Sequence, residues 1–250
     1  MSELNILISG ENLLAKELFH AFQAKGMNQV ALNDISERSN ITVAIETENL
    51  HVEKKKQNLK EIEAFVPAST LILTTTLRVT ATEVASWLSY PERLIGFGTF
   101  VGFMDGKAIE IAPSLQAESH YLQEAKATFS AIGQGIEVVE DEVGLVFPRI
   151  LSMIINEAAF ALTEGTASVR DIDIAMKKGT NYPLGPFEWA KKIGLEDVYS
   201  VLSGMYEQFK EERYRPAPLI RKLVHAGWVG GQTNKCFYHY QNMKTKELAR

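Results

Sequence analysis

The chain has almost no cysteine. Cys236 is the only one in 250 residues, which excludes an internal disulfide framework and a cysteine-based zinc cluster. There is no excess of basic charge either. Lys and Arg number 26 against 31 Asp and Glu, a formal net charge of −5 that argues against nucleic acid as a partner. Long apolar runs are missing, since no stretch approaches the ~20 residues that cross a bilayer, and no membrane partner is expected. The opening Met1-Ser2-Glu3-Leu4-Asn5 has no basic region of the secretory kind, so the cytoplasm is the expected compartment. Internal repeats and low-complexity tracts are absent as well.

What is present is a composition of 46% hydrophobic and 23% charged residues, that of a globular protein rather than a disordered one. The first part of the chain alternates strand and helix. Residues 4–9 form a short apolar run that ends at Gly10. Residues 13–24 place Leu14, Leu18, Ala21 and Phe22 near helical spacing, and Gly26 stops them. Residues 30–32 form a second strand closed by Asp34, and 41–45 a third. A charged helix follows over 52–65 and a fourth strand over 70–74, with further short strands at 93–98 and 108–112. This rhythm predicts βαβ units and a parallel sheet. From about Asp141 the pattern is helical only, most clearly over 146–164, 169–178, 186–193 and 198–212. The expected organisation is two domains, 1–140 and 141–250. Lys54-Lys55-Lys56 reads as a solvated helix face, and residues 244–250 as a frayed polar end.

The turn after the first strand is Gly10-Glu11-Asn12-Leu13-Leu14-Ala15. A dinucleotide-binding turn needs a first glycine for the tight bend, a second where backbone meets pyrophosphate, and a third small residue where helix packs on strand. Gly10 and Ala15 satisfy the first and third requirements. Asn12 stands at the middle position, where its side chain is expected to intrude on the phosphates, and Glu11 puts a negative charge beside an anion site. Asp34 lies at the distance expected of a carboxylate that grips a ribose hydroxyl.

The second half holds distinctive runs: Asn156-Glu157-Ala158, Asp171-Ile172-Asp173-Ile174-Ala175-Met176 and Tyr182-Pro183-Leu184-Gly185-Pro186-Phe187-Glu188. To these add Gly194-Leu195-Glu196-Asp197, Tyr214-Arg215-Pro216-Ala217-Pro218-Leu219, Gly227-Trp228-Val229-Gly230 and Lys235-Cys236-Phe237-Tyr238. Over 144–240 the chain resembles the C-terminal domain of the 3-hydroxyacyl-CoA dehydrogenase family, bacterial 3-hydroxybutyryl-CoA dehydrogenases included. The resemblance continues more faintly through Gly10, Asp34, Ile45-Glu46, Lys60-Glu61-Ile62, Thr82-Glu83-Val84-Ala85 and Ile95-Gly96-Phe97. It implies an α/β Rossmann-type NAD-binding domain followed by an all-α domain that makes a homodimer. It also implies NAD as cofactor, with Gly10, Asn12, Ala15 and Asp34 at the cofactor-binding positions, and an acyl-CoA substrate.

The implied reaction moves a hydride from C3 of an L-3-hydroxyacyl-CoA to NAD while a histidine, oriented by a carboxylate, takes the hydroxyl proton. The family's histidine opens an H-F-F-N-P stretch, matched here by Gly98-Thr99-Phe100-Val101-Gly102, so the base position is Gly98. The carboxylate twelve residues on is retained as Glu110, with Lys107 or Arg149 as its expected partner. The substrate-positioning serine aligns with Leu77, and the asparagine with Pro148 before Arg149. The family's helical arm between the second and third strands is replaced by residues 35–40 alone. The expectation is therefore a family member with lost or strongly reduced activity and weak or lost NAD binding, the alternative being an active oxidoreductase with a rearranged site. His20, His51, His120, His225 and His239 read as surface or interface histidines, Cys236 as a small buried residue, and Trp189 and Trp228 as packing residues.

Overall fold

A computed structural model describes residues 4–27, 30–34, 40–106 and 108–248. The chain divides into two compact units, Met1–Phe147 and Pro148–Arg250. The first holds seven strands: β1 (Ile6–Ser9), β2 (Val30–Leu32), β3 (Val43–Glu46), β4 (Leu71–Thr75), β5 (Leu94–Gly98), β6 (Ala108–Pro113) and β7 (Gly135–Val138). They form one sheet in the order β2-β1-β3-β4-β5-β6-β7, parallel throughout except where β6 runs antiparallel to β5. Strand order reverses at β1, so the turns after β1 and β3 flank the switch point where ligands of open α/β sheets lie.

Alternation along the strands explains why both faces are covered. Ile6 and Ile8 of β1, Val43 and Ile45 of β3, and Leu71 and Leu73 of β4 point to one face. There they pack with Leu14, Leu18 and Phe22 of α1 (Leu13–Ala24) and Ala125 and Phe129 of α4 (Ser119–Ala131). The intervening Leu7, Ala44 and Ile72 meet Leu59 and Ile62 of α2 (Val52–Phe65) and Val84 of α3 (Ala81–Ala85) on the other. Near-continuous apolar strands are the mark of such a doubly covered parallel sheet.

The second unit is helical: α5 (Phe147–Thr163, whose first residue belongs to the first unit), α6 (Val169–Thr180), α7 (Pro186–Ile193), α8 (Leu195–Phe209), α9 (Pro218–His225) and α10 (Phe237–Leu248). Its sequence signatures are packing devices. Asn156 donates to the Arg215 carbonyl at 3.0 Å and accepts from the Ala217 amide at 2.8 Å, which ties α5 to the turn before α9. Asp173 is buried and accepts from the Phe187 amide at 2.8 Å and the Tyr238 hydroxyl at 2.6 Å. Burial pushes both the Asp173 carboxyl and the Tyr238 phenol above their ordinary pKa values. A Cβ at Gly185 would overlap Asp173, which is why the turn before α7 needs glycine.

Two expectations change. Lys55 is not on a solvated face: it is 1% exposed, and its ammonium lies 2.6 Å from the Glu46 carboxylate. Lys54 is exposed, and Lys56 is partly covered, with its ammonium over the Trp87 ring. Residues 244–248 are helical, continuing α10, rather than frayed. Residues 35–39, most of the segment expected in place of the family's arm, lie outside the described residues.

Candidate functional site

The carboxyl ends of β1, β2, β4 and β5 carry most of the residues that the sequence singled out. At the end of β1, Gly10 has a φ of +150°, and a Cβ there would overlap the Thr47 hydroxyl. Its amide donates to Asn33 Oδ1 and its carbonyl accepts from Asn33 Nδ2, both at 2.8 Å. This reciprocal pair fastens the nucleotide turn to the end of β2, beside the exposed Asp34. Ala15 is fully buried and packs α1 on the sheet.

Asn12 does not project outward from the turn. Its Oδ1 caps α1, accepting from the Ala15 amide at 2.9 Å and the Thr47 hydroxyl at 3.0 Å, and its Nδ2 donates to the Thr47 carbonyl at 2.6 Å. A helix N-terminus attracts anions because its first amides lack internal partners. Here the side chain of Asn12 has already taken one of those amides. The intrusion expected at this position therefore takes the form of a substitute ligand within the chain. Glu11 extends into solvent and pairs with Lys54 of α2 at 2.9 Å. That hydrogen bond holds the Glu11 carboxyl below its usual range and raises Lys54.

At the end of β5, Gly98 stands directly opposite Glu110 of β6 in the antiparallel register. The positions expected of a base and its carboxylate are thus adjacent, and both are crowded or engaged. An ideal Cβ at Gly98 would come 2.8 Å from Leu145 Cδ1 and 3.1 Å from its Cγ. Leu145 is 3% exposed and holds a left-handed backbone, φ +50°, which costs a branched side chain about 1–2 kcal/mol. The surrounding segment is held at several points. The Gly144 amide donates to the Thr76 carbonyl at 2.8 Å, and Asp141 accepts from the Ala81 and Thr82 amides at 2.6 and 2.7 Å. Glu110 supplies a further clamp: its two oxygens accept from the Val146 and Phe147 amides, each at 2.8 Å.

Glu110 is therefore partnered by backbone, not by the expected Lys107 or Arg149. Lys107 lies outside the described residues, and Arg149 donates instead to the Tyr214 hydroxyl at 2.6 Å. Leu77 is wholly buried just beyond β4, and Pro148 is buried in the first turn of α5. Four of the histidines are exposed: His20 on α1, His51 at the head of α2, His120 on α4 and His225 at the end of α9. His239 sits edge-on to Trp228 at 4.7 Å. Cys236 is buried, and burial raises its thiol to about 11, far from a reactive thiolate.

The sequence reading missed the cluster at the ends of β3 and β4. Lys55 Nζ donates to Glu46 Oε2, to the Glu48 carbonyl at 2.9 Å and to Thr75 Oγ1 at 3.2 Å, which accounts for all three ammonium protons. Glu46 also accepts from Thr74 Oγ1 at 2.9 Å and the Glu48 amide at 2.8 Å. Lys55, Leu59 and Ile62 are the buried residues of α2, at helical spacing, and that periodicity was the available signal.

Residues 9–142 match the family model described as 3-hydroxyacyl-CoA dehydrogenase, NAD binding domain, and residues 144–240 the one described as 3-hydroxyacyl-CoA dehydrogenase, C-terminal domain. A 3-hydroxybutyryl-CoA dehydrogenase of Bradyrhizobium diazoefficiens is 32% identical over 217 residues, covering 86% of this chain and 73% of the relative. A probable 3-hydroxybutyryl-CoA dehydrogenase of Bacillus subtilis is 29% identical over 216 residues, covering 86% and 75%. Among solved structures, FadB2 of M. tuberculosis superposes with a TM-score of 0.79 at 19% identity, over 95% of this chain and 99% of that one. The (S)-3-hydroxybutyryl-CoA dehydrogenase PaaH1 of Ralstonia eutropha gives 0.73 at 24% identity, over 92% and 96%. These two likenesses are of fold.

Proposed function

Since this chain belongs to the 3-hydroxyacyl-CoA dehydrogenase family, we propose that it keeps the family scaffold but has lost, or strongly reduced, NAD-dependent oxidation of L-3-hydroxyacyl-CoA. The observation that carries this reading is the occupied base position. Gly98 has no proton acceptor, the Leu145 side chain crowds the position to 2.8 Å from an ideal Cβ, and Glu110 is engaged by two amides. A general base must reach the proton it removes, and among the described residues no such group stands at Gly98. The remaining capacity of the protein is to bind: an acyl-CoA-type small molecule on the family scaffold.

The cofactor loop supports the same reading. Gly10, Ala15 and Asp34 stand at the family's NAD positions, but Asn12 caps α1 with its own side chain and Glu11 adds negative charge. Displacing that cap should cost about 1–2 kcal/mol, which weakens NAD by roughly five- to thirtyfold, and the negative charge of Glu11 opposes an anion in the same direction. Fluorescence titration of the purified protein with NADH should therefore show no low-micromolar binding. Low-micromolar affinity would contradict this part of the reading.

The reading also includes a homodimer through the C-terminal helices. Ile150 of α5 is 55% exposed, and Met153 and Ile154 on the same helix are only partly covered. An apolar helix face of this kind is stable in water when a second copy covers it. Light scattering should give twice the 27.9 kDa chain mass. A monomer mass independent of concentration would refute it.

A further inference from the structure

The helical unit holds a knot of positive charge that the dehydrogenase reading does not use. Tyr214 ends a short helical turn (Glu212–Tyr214) after α8 and is 3% exposed. Its phenol oxygen accepts from two guanidiniums, Arg149 Nη2 at 2.6 Å and Arg213 Nη2. The same two groups lie over the tyrosine ring, with Cζ 5.3 and 4.5 Å from its centroid, and Arg149 also lies 5.2 Å from the Phe209 ring. Two like charges are thus drawn to one neutral oxygen.

Their compensation is incomplete. Arg213 Nε meets Glu211 at 2.8 Å, but both side chains of that pair are more than half exposed, where an ion pair contributes little. Glu212 is engaged by Arg215 at 2.8 Å. Arg149 has no carboxylate within ion-pair reach among the described residues. A hydroxyl has two lone pairs and one proton. With both lone pairs taken, the Tyr214 proton becomes a third donor, and no acceptor for it occurs among the described residues.

We propose that Arg149, Arg213 and Tyr214 form a binding site for a phosphoryl group. Two guanidinium forks and one phenol O–H are a donor-only set around a common point, with two positive charges. A phosphate monoester dianion supplies matching charge and three terminal oxygens, whereas a carboxylate supplies one charge and two oxygens. The aromatic faces of Tyr214 and Phe209 hold the guanidiniums in place before a ligand arrives, which lowers the ordering cost of binding. The inference goes beyond the family reading and does not depend on it, since it concerns anion binding and not hydride transfer.

Calorimetric titration of the intact protein with inorganic phosphate, adenosine 3′,5′-bisphosphate and succinate tests the proposal. Phosphate and the bisphosphate should bind saturably, phosphate in the millimolar range, and succinate should bind at least about tenfold more weakly. Tighter binding of the bisphosphate than of phosphate would identify a nucleotide phosphate as the source of the group, and equal binding a free phosphate. Arg213→Gln should weaken phosphate at least about tenfold, the size of a lost charge-assisted hydrogen bond. Glu211→Gln, which frees Arg213 of its competitor, should tighten it severalfold; a purely structural Arg213 would not give that gain. The proposal is overturned by the absence of saturable phosphate binding or by equal affinity for succinate. It is equally overturned if either variant leaves phosphate binding unchanged.

Discussion

Gly98→His alone will not restore hydride transfer. A histidine there begins with a Cβ that Leu145 already crowds, at 2.8 Å from Cδ1 and 3.1 Å from Cγ. Forcing it in should cost about 1–3 kcal/mol of stability, a fall in melting temperature of roughly 2–12 °C for a unit of this size. The ring would also find its carboxylate occupied, because Glu110 holds the Val146 and Phe147 amides. A base contributes roughly 10²–10⁴-fold, and only when the substrate hydroxyl lies within hydrogen-bonding reach. On the proposed reading the positions that would hold substrate carry Leu77 and Pro148, neither of which can hydrogen-bond it through a side chain. Acetoacetyl-CoA reduction by the variant should remain below about a thousandth of a competent relative's rate. Adding Leu77→Ser, Pro148→Asn and Asn12→Gly should raise activity more than the single change, since groups that act as a unit are strongly non-additive. A single variant that approaches the relative's rate would show Leu145 and Glu110 to be no obstacle.

The largest loss of stability should come from Lys55→Met. The substitution leaves the Glu46 carboxylate 0% exposed, with the Thr74 hydroxyl and Glu48 amide but without its cation. Breaking a buried pair in this way costs about 3–5 kcal/mol, which at roughly 2–4 °C per kcal/mol lowers the melting temperature by roughly 6–20 °C. The double variant Glu46→Leu/Lys55→Met should recover most of that loss, because no unpaired charge is then left inside. Thermal and urea denaturation of the two variants measure this directly. A Lys55→Met protein within about 1 kcal/mol of the unmodified one would mean that the pair is not the anchor joining α2 to β3 and β4.

The parts of this fold that were legible in the sequence are those with strong local periodicity. The bounds of α1 (Leu13–Ala24) and α2 (Val52–Phe65) follow from apolar spacing with Gly26 as a stop. The parallel strands follow from short apolar runs between helices. By contrast α4, with the sequence SHYLQEAKATFSA, has small and polar residues on most of its surface, and β7 is an exposed edge strand without alternation. Neither has a local signal of comparable strength. Lys55 is chemically identical to its neighbours in the sequence, and only its position one turn before Leu59 and two before Ile62 marks it as inward-facing.

At the site, the identities were readable and the contacts were not. That Gly stands at 98, where the resemblance expects a base, and Asn at 12, where it expects glycine, is visible in the sequence. That Asn12 would cap α1 follows from a known preference for asparagine at helix starts, but its second bond, to Thr47, spans 35 residues. Leu145 meets Gly98 across a similar separation, with a backbone conformation that leucine rarely adopts. Such long-range contacts are fixed by tertiary packing, and no local pattern announces them.

The most direct test of the central claim is absorbance in the NADH band while the unmodified protein is incubated with NADH and acetoacetyl-CoA. No NADH consumption above the enzyme-free control is expected, even at high protein concentration. Turnover at even a few per second, within the ordinary range of working enzymes, would contradict the account and place a competent base where Gly98, Leu145 and Glu110 leave none.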